Sequence, residues 1–111
     1  MGAEGRKHVL LMGLQVTDEA TYASYRARMT PILSSYGGAF GHDFVVARVL
    51  KGDARINRVF TLLFPDHATQ ERFFADAQYR AARAELFEPS VATALVLGEL
   101  ELAGSEPEER R

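Results

Sequence analysis

Apolar and polar positions along this chain follow two alternating periods. His8 to Val16 is a short apolar run, and Thr17-Asp18-Glu19 behind it is a helix-start signal, so a strand runs into a helix. From Thr17 to Tyr36 the spacing turns helical. Tyr22, Tyr25, Met29, Ile32, Leu33 and Tyr36 recur at intervals of three and four and share one stripe. Gly37-Gly38 is a natural stop, because glycine accepts the left-handed conformation that ends helices. Pro31 removes one helical hydrogen bond and predicts a bend near Thr30. Ala39 to Lys51 is rich in Phe and Val and reads as a strand; Gly52 to Arg55 is a turn, and Asn57 to Phe64 is a second strand. The short turn predicts an antiparallel hairpin. Asp66 then caps a helix whose apolar face is Phe73, Phe74 and Ala77. Asp76 starts a further helical stretch carrying Tyr79, Ala82, Leu86 and Phe87, which Pro89-Ser90 ends. Val91 to Leu102 is a last strand. The order β-α-β-β-α-β predicts an α+β, ferredoxin-like fold: a four-stranded antiparallel sheet with two helices on one face.

Side chains alternate across a sheet, so each strand divides by parity. Val59, Thr61 and Leu63 oppose Phe60, Leu62 and Phe64. Val45, Ala47 and Val49 oppose Phe44, Val46 and Leu50. Thr93, Leu95 and Leu97 oppose Ala94, Val96 and Leu100, and Val9 and Leu11 oppose Leu10, Met12 and Leu14. Every strand is apolar on both faces. Two helices cover one face, and the other would leave an apolar patch larger than monomers carry. The expected partner is a second copy of the chain, joined through the open sheet face in a homodimer.

Composition narrows the class. The chain has 111 residues, 47% hydrophobic and 25% charged, with no cysteine and a formal net charge of −2. That is one globular domain, without the concentrated basic surface that nucleic acid or an anionic membrane needs. Met1 to Arg6 and Gly104 to Arg111 are polar and are expected to be flexible, leaving 7–103 as a single domain. The apolar run after Arg6-Lys7-His8 is too short, and lacks a cleavage site, for a signal peptide; no segment reaches transmembrane length. A cytoplasmic protein is the default expectation.

Candidate chemistry is sparse. His8, His42 and His67 are scattered and show no metal-ligand spacing, so neither a metal nor another cofactor is expected. No phosphate loop or nucleophile elbow is present. His42 and Asp43, as strand neighbours, point to opposite faces and cannot orient each other unless Gly41 supports a bulge. His42 alone is a candidate proton carrier, against the blander reading of a strand-edge histidine. The tyrosines of the helix stripe are core residues whose hydroxyls reach the rim of any cleft. Arg26 and Arg28 flank that stripe, and either is placed to hold an anion or to lie solvated. Arg58, in an otherwise apolar strand, needs a partner: a ligand carboxylate, Asp43 or Glu85.

The segment Val9 to Leu102 resembles a bacterial family carried as a domain of unknown function (number thirteen-thirty) in the dimeric α/β-barrel superfamily. The resemblance rests on Tyr22 and Tyr25 as Y-x-x-Y, Pro31, Tyr36-Gly37-Gly38, Leu50-Lys51-Gly52, the strand Arg58 to Phe64 with Pro65, Phe73-Phe74 and Tyr79. It implies the fold above and, by analogy with superfamily members that include cofactor-independent monooxygenases, haem-degrading enzymes, isomerases and stress proteins, a small-molecule cleft between sheet and helices. The chain departs from the pattern at Leu63, where a carboxylate is common, and at Glu88, Ser90 and Thr93, where basic residues are usual. No acid/base or anion role carries over from those positions.

Together these readings predict a homodimeric small-molecule binder or cofactor-independent enzyme acting on an aromatic or apolar-bodied compound. Tyr25, His42, Arg58 and Tyr79 would line its cleft, with Arg28 as a further anion-holding candidate. The alternative is a non-catalytic regulatory or stress-related dimeric module with a filled interior. An open cavity with converging polar groups separates the two.

Overall fold

The computed structural model describes residues 7–101. The flexible termini expected at 1–6 and 104–111, and the end of the last strand at Leu102, lie outside the described residues. The elements are β1 (His8–Val16), α1 (Glu19–Ser35), β2 (Ala39–Val45), β3 (Arg58–Phe64), α2 (His67–Ala75), α3 (Ala77–Ala82) and β4 (Val91–Glu101). Between α3 and β4 the chain winds through a π-helical turn, Arg83–Phe87, and a 3-10 turn, Glu88–Ser90. All strand pairs are antiparallel in the order β2-β3-β1-β4, the ferredoxin-like arrangement.

Local chemistry explains the boundaries. Asp18, Asp66 and Asp76 each place a side-chain oxygen on the backbone N–H three residues on, at 3.1, 2.8 and 2.9 Å, capping α1, α2 and α3. Helix α1 runs continuously through Pro31; the Thr30 hydroxyl donates to the Arg26 carbonyl at 2.6 Å in the turn before it. The helix ends where Gly37 takes φ +75° and Gly38 N–H returns to the Leu33 carbonyl at 3.0 Å.

The core lies between the helices and one sheet face. Leu10, Leu14, Phe60, Leu62 and Phe64 meet Tyr22, Tyr25, Met29 and Leu33 of α1, Phe73 of α2 and Tyr79 of α3. The parity split of β1 and β3 is therefore the observed one.

Two sequence expectations need correction. First, β2 stops at Val45, six residues before Lys51, and residues 46–57 form an irregular connection rather than a tight hairpin turn. Asn57 is outside β3. Its side chain accepts from Val16 N–H at 2.8 Å and donates to the Val16 carbonyl at 2.9 Å, so it satisfies β1 backbone, while its own carbonyl accepts from Val46 N–H at 2.9 Å. The parity assigned to Val46, Ala47, Val49 and Leu50 has no sheet to refer to.

Second, β4 changes phase. Leu11 pairs with Gly98 and Met12 with Val96, leaving Leu97 as the extra residue of a bulge. Beyond it Glu99 pairs with Leu10, on the helix side, and Leu100 pairs with Val9, on the outer side. Leu100 thus joins Leu95 and Leu97 rather than Ala94 and Val96. The helical stretch from Asp76 runs as read, past Ala82 without a break to Ser90, whose hydroxyl donates to the Leu86 carbonyl at 2.7 Å.

The outer face carries Leu95, Leu97, Leu100 and Phe44, exposed at 39%, 50%, 46% and 57%. Leu97 and Ile56 close over Gly13, where a Cβ would lie 3.2 and 3.3 Å from their methyl carbons.

Candidate functional site

A cleft of about 560 Å³ opens between the helix-facing side of the sheet and the helices. Its apolar walls come from Met12, Met29, Phe40, Leu62, Phe74 and Phe87. Its polar groups are few, which makes each one informative.

At the centre, the Tyr25 and Tyr79 hydroxyls lie 3.0 Å apart and are buried. The two residues come from α1 and α3, and the capped helix starts at Asp18 and Asp76 fix where each ring enters. Burial pushes both phenols above their ordinary value. At Tyr25 the Tyr79 hydroxyl adds to the rise, whereas at Tyr79 the Tyr25 hydroxyl and the Arg83 guanidinium oppose it. Both are neutral at physiological pH. Gln70, 7% exposed, lines the same cleft, and its side-chain oxygen is buried without a hydrogen-bond partner. Such orphans are rare because an unpaired buried acceptor costs about 1–3 kcal/mol.

Cations ring the opening. Arg26 is held by the Tyr22 hydroxyl at 3.1 Å and Asp43 at 3.0 Å, with its guanidinium 3.8 Å from the Phe40 ring centre. Arg83 pairs with Glu88 at 3.1 Å beside the Phe87 ring. Arg80 lines the cleft exposed, with no ion-pair partner among the described residues. Glu99, turned inward by the β4 bulge, is the cleft's carboxylate.

Of the five residues proposed from sequence, the structure brings together two, Tyr25 and Tyr79. Arg58 stands beside the cleft but not in its lining. It is bound to Asp43 at 3.0 Å, with Glu19 at 3.8 Å, so one of its anticipated protein partners takes the place of a ligand. Partial burial alone would raise the Asp43 carboxyl, but hydrogen bonds and charge from Arg58 and Arg26 hold it below the ordinary carboxylate value. Arg28 faces away and pairs with Glu85 at 2.9 Å. His42 is exposed and stacks on Phe44, 6.0 Å between ring centres, on the far side of the sheet. A bulge does fall between Phe40 and Asp43, yet it turns only Asp43 towards the helices, so the pair stays separated. The residues that reasoning missed had a faint signal. Tyr79, Arg83 and Phe87 are four apart and share a helical stripe, as do Gln70, Phe73 and Phe74 at three and four.

The histidines are less scattered in space than in sequence. His8 and His67 meet at the foot of the sheet with Glu99, and one ligand-capable atom from each lies within 4.8 Å of the others. Among the described residues this is the group able to hold a metal ion. No helix among them is long and apolar enough to cross a membrane.

Similarity to solved structures supports the fold. A protein of unknown function from Rhodopseudomonas palustris, RPA0582, superposes with TM-score 0.77 at 18% identity, over 89% of this chain and 84% of that one. A dabb family protein with a ferredoxin-like fold from Mesorhizobium loti gives 0.60 at 16%, over 88% and 96%. SnoaB, a cofactor-independent oxygenase from Streptomyces nogalater, gives 0.57 at 17%, over 93% and 97%. No curated protein matches the chain. The model of one family, described as a domain of unknown function (DUF1330), matches residues 8–99, and the chain belongs to that family.

Proposed function

We propose that the protein is a homodimeric binder of a small organic molecule with an aromatic or otherwise apolar body and one hydrogen-bond-accepting or anionic end. The observation that carries this reading is the buried Tyr25–Tyr79 hydroxyl pair facing an apolar cleft of about 560 Å³ that also holds an unpartnered Gln70 oxygen. A cleft of that size falls in the range of small-molecule sites, roughly 300–1,000 Å³, and counts against a filled interior. The apolar walls take the ligand body. One phenol donates to the other, and the remaining hydroxyl proton is donated to the ligand's acceptor; Arg80, without an ion-pair partner among the described residues, balances a negative charge. Tyr79, held neutral by burial and hydrogen-bonded to Tyr25, is also placed to share a proton with a bound substrate. Chemistry of that kind needs no cofactor, and the fold is shared with a cofactor-independent oxygenase.

The second copy covers the outer sheet face, where Phe44, Leu95, Leu97 and Leu100 stand exposed on the side away from the core. The test is a thermal-shift panel of aromatic carboxylates and phenols on wild type, Tyr79→Phe and Arg80→Ala. The reading expects stabilisation of wild type by a subset of the panel, with the shift at least halved in both variants. No stabilising compound, or equal shifts in all three proteins, would overturn it.

A further inference from the structure

We propose that His8, His67 and Glu99 form a binding site for a zinc-class divalent cation, at the end of the cleft but separate from its tyrosine pair. The proposal does not depend on what the cleft binds.

Three elements converge there. His8 opens β1, His67 is the first residue of α2, and Glu99 sits on β4 opposite Leu10. The two imidazole rings lie 5.4 Å apart, edge to face at 75°. His67 Nδ1 is 3.8 Å from a Glu99 carboxylate oxygen.

Two independent observations point to a ligand. The first is His8 itself: it is 8% exposed, and its Nε2 is buried with no hydrogen-bond partner. A buried ring nitrogen without a partner is a lone pair or a donor left uncompensated, and a bound ion would satisfy it. The second is the other side of His67. Its Nε2 lies 3.0 Å from a Glu71 carboxylate oxygen one helical turn on. A carboxylate on the far ring nitrogen fixes the tautomer of a metal-binding histidine, leaving Nδ1 with its lone pair towards His8 and Glu99.

The surroundings favour a cation. Asp66, Glu99 and Glu101 line this hollow, with Lys7 as its positive residue. Two imidazoles and one carboxylate suit zinc, cobalt or nickel rather than magnesium or calcium, which prefer all-oxygen shells. Tetrahedral binding at about 2.0–2.2 Å needs donor atoms roughly 3.4 Å apart. They now lie within 4.8 Å, and His67 and Glu99, with side chains 52% and 49% exposed, have room to close that difference. Three protein ligands leave a fourth position open. Glu99 lines the cleft as well as this hollow.

The experiment is a Co²⁺ titration of chelator-treated protein, read by visible ligand-field absorption, with Zn²⁺ and Mg²⁺ as competitors. We expect one Co²⁺ per chain with tetrahedral-type bands, displaced by Zn²⁺ but not by Mg²⁺. His67→Ala and Glu99→Gln, both at exposed positions, should weaken binding at least tenfold. Glu71→Gln should weaken it by about tenfold, and His42→Ala should leave it unchanged. A wild type without saturable binding, displacement by Mg²⁺, or wild-type affinity in His67→Ala would each overturn the proposal.

Discussion

Replacing Leu97 by glutamate should split the proposed dimer without unfolding the chain. Leu97 is the bulge residue of β4, lies over Gly13 on the outer sheet face, and is half exposed. Covering the remaining half of a leucine stabilises by about 1 kcal/mol, since full burial is worth roughly 1.5–3. Two-fold symmetry buries both copies, so the pair contributes about 2 kcal/mol to association. Glutamate forfeits that contribution. It also places two carboxylates in the interface, each costing at least about 2 kcal/mol to desolvate without a partner. The combined loss, about 6 kcal/mol, is roughly four decades in Kd. Sedimentation equilibrium reads it directly: wild type should be dimeric at micromolar concentration and Leu97→Glu monomeric. Circular dichroism and thermal unfolding of the variant should still report a folded sheet. A variant that dimerises like wild type, or a wild type already monomeric, would refute the assignment of this face.

Two further predictions concern the monomer. Phe73 is fully buried among Phe64, Phe74 and Tyr79, with ring centres 5.8, 5.0 and 4.4 Å away. Phe73→Ala should therefore cost about 3–5 kcal/mol and lower the Tm by about 12 °C or more in calorimetry; a drop of only a few degrees would mean that the aromatic cluster is not the centre of the core. Asp43 has its carboxyl held low by Arg58 and Arg26 despite partial burial. The stability this supplies is present above the unfolded carboxyl value, about 3.9, and is lost as pH falls through the lower folded value. Urea midpoints from pH 7 to pH 3 should fall less steeply for Asp43→Asn than for wild type, and parallel curves would show that the ion pairs contribute nothing.

What was legible in the sequence is what depends on neighbours along the chain. The helix starts at Asp18 and Asp76, the Asp66 cap, the glycine stop at 37 and the tyrosine stripe of α1 all act within a turn or two, and the structure has them as read. Parity located the core side of β1 and β3 for the same reason. It failed where an inserted residue resets the alternation. The bulge at Leu97 sends Leu100 outward and Glu99 inward; Gly98, an isolated glycine in the strand, is its one mark in the sequence. Val46 to Leu50 read as strand because they are mostly apolar, but beyond the bond from Val46 N–H to the Asn57 carbonyl at 2.9 Å the chain takes up the irregular connection.

The site was harder, because its parts are brought together by the topology. Tyr25 and Tyr79 are fifty-four residues apart and were placed together by the expectation of a cleft. Arg58 and His42 were singled out for their residue type, and tertiary context reassigns both: Arg58 to Asp43, His42 to the outer face beside Phe44. His8 and His67 show the reverse. Their separation along the chain argued against a metal, yet the antiparallel pairing of β1 with β3, and the turn from β3 into α2, put them side by side.

The most direct test of ligand binding in the cleft is an NMR experiment on methyl-labelled protein with a stabilising aromatic acid from the panel. The account predicts intermolecular NOEs from the ligand ring to the Met29 and Leu62 methyls of the cleft, and none to Leu97 or Leu100. NOEs confined to Leu97 and Leu100 would contradict it, because the apolar ligand would then occupy the sheet face assigned to the second copy.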